Sequence, residues 1–188
     1  RVFVHELMNL HTGRMMLLDD DRNPVGVGEV GEIFSTGPML FDEYYKMPEK
    51  TADSHEGTYF SAGDMGIMDE DGYYAIVDRK HNMIITGGEH VYPNEMEEVV
   101  CKHDKVFDAA IIGLPHDKWG EAVAAVVIPK DDVEIDPQEI IDYIAPKVAG
   151  FKKPKAVMVI GQDEMPRTAT GKIQHHVLRD RYADTFKS

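Results

Sequence analysis

Three charged side chains of this sequence have the types and places suited to holding a nucleotide. Asp64 follows Gly63 beside a run that predicts a β-strand, and a carboxylate there can accept both hydroxyls of a ribose. Asp78 and Arg79 are adjacent, and arginine offers planar donors to hydroxyl or phosphate oxygens. Taken alone, these residues are more typical of a turn and of an exposed ion pair that contributes little stability.

A second candidate is the run Gly87-Gly88-Glu89. Paired glycines permit positive φ angles and let backbone or ligand approach closely, because neither residue has a Cβ. Pro93 then opens a helical pattern, where its missing N–H costs nothing. The simpler interpretation is a β-strand, a glycine turn and a helix with no chemical role.

The third candidate is Lys172, which lies in the octapeptide Pro-Arg-Thr-Ala-Thr-Gly-Lys-Ile of residues 166–173. A lone Gly-Lys pair is usually a solvated lysine. It is not a nucleotide-binding P-loop either, because no Gly-x-x-x-x-Gly-Lys-Ser/Thr frame surrounds it. Lys172 is a candidate because of the whole octapeptide, and not because of the Gly-Lys pair alone.

Other reactive side chains favour no site. Cys101 falls in a predicted helix with no histidine beside it to act as a base. His175 and His176 are adjacent and not spaced for shared metal ligation. The run Asp19-Asp20-Asp21 is typical of a solvated turn. We therefore expect no metal site in this chain.

Composition limits the class of protein. The chain has 188 residues and a formal net charge of -14, of which residues 1–77 carry -10. This acidity argues against nucleic acid and anionic membranes as partners. Residues 151–181 reverse the sign, with seven basic and three acidic side chains, so a small anion remains a possible ligand. No apolar run is long enough to span a bilayer, and the single cysteine favours a reducing, cytoplasmic location.

Residue patterns predict two unlike parts. Residues 1–77 are mostly β, with strands at 14–19, 28–37, 65–68 and 73–77 and a turn at 69–72. From residue 83 the order is β-α-β-β-α-β followed by a loop and a last helix, which favours an α+β unit with two helices on a mixed sheet. Asp136, Pro137 and Glu139 predict the start of the second helix of that series. We expect domains at residues 1–77 and 78–188.

The ordered motifs of residues 26–181 resemble those of the adenylate-forming superfamily. That superfamily includes acyl-CoA synthetases, adenylation domains of nonribosomal peptide synthetases, and luciferases. The stretch from Asp78 to Pro93 resembles its hinge between a large N-terminal and a small mobile C-terminal domain. Residues 166–173 match its Pro-Arg-Thr-x-x-Gly-Lys-Ile signature without a gap. One departure is Ala62, which stands where the ribose motif usually has a threonine.

The resemblance implies a role for each candidate. It implies that Asp64 and Arg79 bind the AMP ribose, and that Asp78 is the hinge acid. It places Gly87, Gly88 and Glu89 near the CoA thiol, and makes Lys172 the catalytic lysine. The Gly-Gly-Glu form is more typical of CoA ligases than of peptide-synthetase domains.

The implied activity is that of an AMP-forming acyl-CoA synthetase. A carboxylic acid, fatty or aromatic, attacks the α-phosphate of MgATP; the CoA thiol then attacks the acyl-adenylate, and AMP leaves. The small domain is expected to swing about its hinge between the two steps. Two alternatives stay open: an adenylation domain that loads a carrier protein, and a binding or regulatory module without chemistry.

The sequence is also expected to be the C-terminal third of a longer enzyme. It begins with Arg1, and we find in it neither the family's phosphate loop nor its adenine and Mg²⁺ segment. We therefore expect the isolated chain to catalyse neither step, and the Mg²⁺ ligands to lie upstream.

Overall fold

The computed structural model describes residues 13–38, 40–131 and 133–187. These residues form two compact units, which divide between His81 and Asn82. The chain passes from one to the other within a 3₁₀ turn at Lys80–Asn82. The units divide four residues later than the boundary drawn from the sequence, and their assignment to a large and a small domain stays a prediction.

Among its described residues, the first unit consists of a six-stranded sheet and one short helix. Its strands run in the order β3-β4-β2-β5-β6, and β1 pairs antiparallel with β2. The hairpin expected around residues 69–72 is present, as β5 and β6. Its elements are β1 Arg14–Leu18, β2 Val30–Thr36, α1 Pro48–Asp53, β3 His55–Glu56, β4 Tyr59–Phe60, β5 Asp64–Met68 and β6 Tyr74–Arg79.

Among its described residues, the second unit has a five-stranded mixed sheet and three α-helices. The strand order is β11-β10-β7-β8, and β9 pairs with β10. The β10–β11 pair is parallel, whereas β9 and β10 form a long antiparallel ladder. Its elements are β7 Ile84–Thr86, β8 Glu89–Val91, α2 Pro93–Val100, β9 Val106–His116, β10 Gly120–Pro129, α3 Pro137–Ile144, β11 Ala156–Val159 and α4 His175–Tyr182.

Both faces of this second sheet are buried, which explains the continuous apolar runs of β9 and β10. Successive strand residues point to opposite faces. Ile111 belongs to a core shared with helices α2 and α3, whereas its neighbour Ile112 belongs to a core that contains Leu178 of α4. The α+β class expected from the sequence is confirmed, and the last helix adds a third layer that the sequence analysis left unplaced.

The helix starts follow from local chemistry. Asp136 precedes α3, and its Oδ1 accepts a hydrogen bond of 2.9 Å from the backbone N–H of Gln138, as the capping pattern predicts. Pro93 is the first residue of α2. No helix in the described part of the chain is long and apolar enough to cross a membrane.

In the second unit, one strand was missing from the sequence prediction. The paired glycines do not lead directly from a strand to a helix, because Glu89–Val91 forms a second strand that pairs antiparallel with Ile84–Thr86. Each strand has three residues, which is too short to show the alternation from which a strand is recognised.

Candidate functional site

The nucleotide-binding candidates of the first unit are held together by strand register. Asp64 begins β5, Arg79 ends β6, and the two are cross-strand partners. Arg79 Nε lies 2.7 Å from Asp64 Oδ1, and Arg79 Nη1 donates to the carbonyl of Ala62 at 3.2 Å. Asp64 Oδ2 has no partner among the described residues. The pair therefore orients the carboxylate and leaves Oδ2 available to accept hydrogen bonds.

A polar cluster formed by Glu32, Ser61 and Lys80 contacts the turn beside this pair. Glu32 accepts a hydrogen bond of 2.6 Å from the Ser61 hydroxyl and one of 2.9 Å from Lys80 Nζ. Ser61 Oγ in turn accepts from the backbone N–H of Gly63 at 3.0 Å. Glu32 and Ser61 are buried, so their polar atoms need these partners. The cluster fixes the turn that leads into Asp64.

Asp78, the expected hinge acid, does not join the Asp64 pair. Its carboxylate accepts a hydrogen bond of 2.6 Å from the backbone N–H of Arg79, and the residue is buried. That bond stabilises the strand end from which the Arg79 side chain leaves.

In the second unit, the glycine run is the turn of the β7–β8 hairpin. Gly87 has a φ of +61° and Gly88 a φ of +89°, the pair of positive angles that a two-residue type I′ turn requires. Residues with a Cβ seldom adopt such angles. The backbone geometry alone therefore explains why glycines occupy both positions.

An open cleft of about 310 Å³ adjoins this turn. The rings of Trp119 and Phe151 are partly exposed, and Gly87 N–H donates to the carbonyl of Trp119 at 2.8 Å. Aromatic faces and a lysine suit a flat, anionic ligand. The residues that line the cleft are Thr86, Gly87, Glu89, Trp119, Gly150, Phe151 and Lys155.

Lys172 lies on a second tight hairpin, formed by residues 166–174. The backbone N–H of Thr168 donates to the Lys172 carbonyl at 2.8 Å, and Gly171 N–H donates to the Thr168 carbonyl at 2.9 Å. The Lys172 side chain is exposed, and no described residue forms an ion pair with it. A hydrogen-bonded hairpin thus presents a cation that no described residue of this unit neutralises.

Cys101 has no environment that would make it a nucleophile. Burial raises the pKa of its thiol, and the carboxylates of Asp108 and Glu97 raise that pKa further. A higher pKa keeps the thiol protonated and unreactive near neutral pH, in line with the sequence analysis. Burial likewise raises the pKa of the Tyr74 phenol.

Comparison with known proteins identifies this arrangement. Residues 95–172 match the family model of the AMP-binding enzyme C-terminal domain. Over 164 residues the chain is 42% identical to a long-chain-fatty-acid–CoA ligase of Yersinia pestis, covering 87% of this chain and 29% of that protein. The structure of ATP-bound MatB from Rhodopseudomonas palustris matches with a TM-score of 0.86 at 36% identity, over 93% of this chain and 35% of the other. The chain belongs to the adenylate-forming superfamily.

The chain spans about 30% of the length of the curated relatives it matches. A further relative of the superfamily is a feruloyl-CoA synthase of an Amycolatopsis species, 40% identical over 159 residues, or 85% of this chain and 32% of that protein. The names of these relatives include both a fatty and an aromatic acid.

The structure adds residues to the candidate site that the sequence did not indicate. The supporting cluster of Glu32, Ser61 and Lys80 gave no signal, because its members are far apart in the sequence. Trp119 and Phe151 were likewise passed over. An aromatic residue directly before a glycine, as in Trp119-Gly120, is a weak signal that could have drawn attention to the cleft.

Proposed function

We propose that this chain is the C-terminal part of an AMP-forming acyl-CoA synthetase. The enzyme would join a carboxylic acid, fatty or aromatic, to CoA through an acyl-adenylate, with ATP as co-substrate and AMP and pyrophosphate as products. The names of the relatives support both substrate types. The cytoplasmic location expected from the single cysteine remains part of this proposal.

The observation that carries the proposal is the cleft beside the glycine turn. CoA is a long thiol with an adenine ring and several phosphates at its far end. The rings of Trp119 and Phe151 offer faces on which a base can stack. Lys155 offers a cation for a phosphate, and the turn at Gly87 lets a narrow chain pass close to the backbone.

In the first step, Lys172 would stabilise the charge that develops as the carboxylate attacks the α-phosphate. Two anions must approach each other there, and a cation on a long stem can contact both. Asp64 would accept hydrogen bonds from the ribose hydroxyls, and Arg79 would hold Asp64 in place and contact the ribose itself. Asp78 would act as the hinge at which the enzyme changes between its two steps.

Mg²⁺ is the metal that the superfamily implies. The residues that the structure describes contain no group of three His, Cys, Asp or Glu side chains close enough to hold a metal ion. We therefore assign no Mg²⁺ ligand and no metal-dependent step to the described residues.

The test measures the two half-reactions separately in the complete enzyme, by single-turnover kinetics. Lys172→Ala should slow acyl-adenylate formation by about 10²–10³-fold, the usual loss for one preorganised electrostatic contact. Thioester formation from supplied acyl-adenylate should stay close to wild type. Phe151→Ala should give the reverse pattern, since it removes one wall of the cleft.

The matched control is Lys102→Ala, which removes another exposed lysine of the same unit and should change neither step. If Lys172→Ala slowed both steps equally, the assignment of Lys172 to the first step would be wrong. A carrier-protein-loading domain would make the adenylate but transfer it to a carrier in preference to CoA. A module without chemistry would show neither step.

A further inference from the structure

The hairpin that carries Lys172 has two different faces. Arg167 pairs across it with Ile173, and Thr168 is hydrogen-bonded across it to Lys172. Because side chains alternate along a strand, Arg167 and Ile173 share one face, and Lys172 lies on the other. Ile173 packs against the core that contains Leu178. The inner face thus anchors the hairpin while the outer face presents the lysine.

Arg167 anchors the beginning of the hairpin through its side chain. Its Nη2 donates to Asp108 Oδ2 in a short hydrogen bond. Its Nη1 donates at 3.0 Å to the carbonyl of Gly171, the carbonyl that is bonded to the backbone nitrogen of Lys172. The guanidinium therefore links Asp108 on strand β9 directly to the peptide unit before the lysine.

His175 anchors the end of the hairpin, three residues after Lys172. Its Nε2 lies 2.7 Å from Glu97 Oε1 on helix α2. The exposed fractions of these two side chains are 13% and 17%, lower than the 32% and 29% of Arg167 and Asp108. The second anchor is therefore better shielded from water than the first.

Both carboxylates are themselves fixed by strand β9. Among the described strands β9 pairs only with β10, so the N–H groups on its other edge need other acceptors. The N–H of Ala109 donates to Asp108 Oδ1 at 2.8 Å, and the N–H of Ile111 donates to Glu97 Oε1 at 2.9 Å. The same two side chains thus complete the strand edge and hold the hairpin.

We propose that Asp108 and Glu97 are positioning residues, which set the place of the Lys172 ammonium through Arg167 and His175. The proposal rests on the proposed function, since it assigns a purpose to the same lysine. Neither carboxylate touches a substrate in this account. Each acts on the reaction only through the backbone on either side of Lys172.

The expected effect is selective. A displacement of about 1 Å at a reacting group can cost about 10²-fold in rate. Asp108→Asn and Glu97→Gln should each slow acyl-adenylate formation about 10–10²-fold, less than Lys172→Ala. Thioester formation from supplied acyl-adenylate should remain within about twofold of wild type, because Lys172 does not act in that step.

The experiment compares both variants with Lys172→Ala in the complete enzyme, by single-turnover kinetics of each step. The control is Glu139→Gln. It removes the charge of a different carboxylate of this unit, one that is paired to Lys105. It should change neither rate. Asp108→Glu keeps the charge and should recover part of the lost rate. The double variant Asp108→Asn/Arg167→Gln should be no slower than its slower single variant, because both substitutions break one link.

The outcomes separate this proposal from the function itself. If Lys172→Ala slows the first step while Asp108→Asn and Glu97→Gln leave it unchanged, the positioning role is wrong and the proposed function stands. Equal slowing of both steps would indicate a general loss of structure and would also overturn the positioning role. If Lys172→Ala leaves the first step unchanged, the role of the lysine is wrong and the proposal fails with it. If Glu97→Gln does not fold, the rates of Asp108→Asn decide, because the Asp108 side chain is more exposed and its replacement disturbs the core less.

Discussion

Replacing the two turn glycines by alanine, one at a time, separates backbone strain from contact with the cleft. Both residues have positive φ angles, +61° at Gly87 and +89° at Gly88. An alanine with such angles costs about 1–2 kcal/mol of folding free energy. For a chain of this size, 1 kcal/mol shifts the melting temperature by about 2–4 °C. Each variant should therefore melt about 2–8 °C below wild type.

The two positions differ in what a new methyl group would contact. A Cβ at Gly87 would lie 3.1 Å from Cε3 of Trp119, whereas one at Gly88 would meet no atom within 4 Å. A carbon pair is at its optimum near 3.5–4.0 Å, so the indole must move by several tenths of an ångström in the first variant only. Trp119 is partly exposed, which gives the ring room to move.

The assay is intrinsic fluorescence, because Trp119 is the only tryptophan of the sequence. The native emission of Gly87→Ala should differ from wild type, and that of Gly88→Ala should not. Urea unfolding followed at the same wavelength gives both stabilities. If CoA binds in the cleft, adding CoA should change the Trp119 emission, and this change should be smaller in Gly87→Ala than in Gly88→Ala. Identical native spectra for both variants would refute the placement of Trp119 against the turn.

Three further predictions test single contacts. Asp108→Asn removes a negative charge that raises the pKa of the Cys101 thiol. More thiolate should then form at about pH 8, and iodoacetamide should react faster than with wild type; an unchanged rate would contradict the contact. Glu32→Gln weakens the acceptor shared by Ser61 and Lys80 and should lower the free energy of unfolding by about 1–3 kcal/mol, measured by urea denaturation. Asp136→Ala removes a helix cap and should cost about 0.5–2 kcal/mol in the same assay, whereas Asp136→Ser should recover most of it.

The pH dependence connected with Cys101 has a definite sign. Its pKa is raised in the folded state, so the folded chain binds the thiol proton more tightly than the unfolded chain does. The resulting stability is fully present below the unfolded pKa and is lost as the pH rises through the folded value. The free energy of unfolding should therefore fall on the alkaline side. Cys101→Ser should reduce that fall, because it removes the titrating group.

The sequence predicts best those features that arise from neighbouring residues. The cap at Asp136 and the turn at residues 69–72 depend on local hydrogen bonding, and both are present. The two long strands were found because each contains an uninterrupted apolar run, residues 109–115 in β9 and 122–129 in β10. The short strand Glu89–Val91 was missed, since three residues do not display a period.

Contacts between residues that are far apart in the sequence could not be predicted from local patterns. Arg167 and Asp108 are 59 residues apart, and His175 and Glu97 are 78 apart. Each is an ordinary polar residue within its own segment, and only the folding of the second unit around one sheet brings them near. The positions of Asp64 and Lys172 were found from motifs, but the groups that hold them in place were not.

Each candidate group lies on a hairpin, and this has a consequence for the hinged enzyme that we propose. Asp64 and Arg79 face each other across one hairpin, the glycine pair forms the turn of a second, and Lys172 lies on a third. In a hairpin, register fixes which side chains share a face, and a slip of one residue would reverse every face. The partners of Arg79 lie in its own unit, as do the anchors of the Lys172 hairpin. A change between two steps that moves one unit as a rigid body would then leave each group's geometry intact. We therefore expect substitutions in these anchors to alter one step at a time, whereas substitutions at Asp78 should alter both.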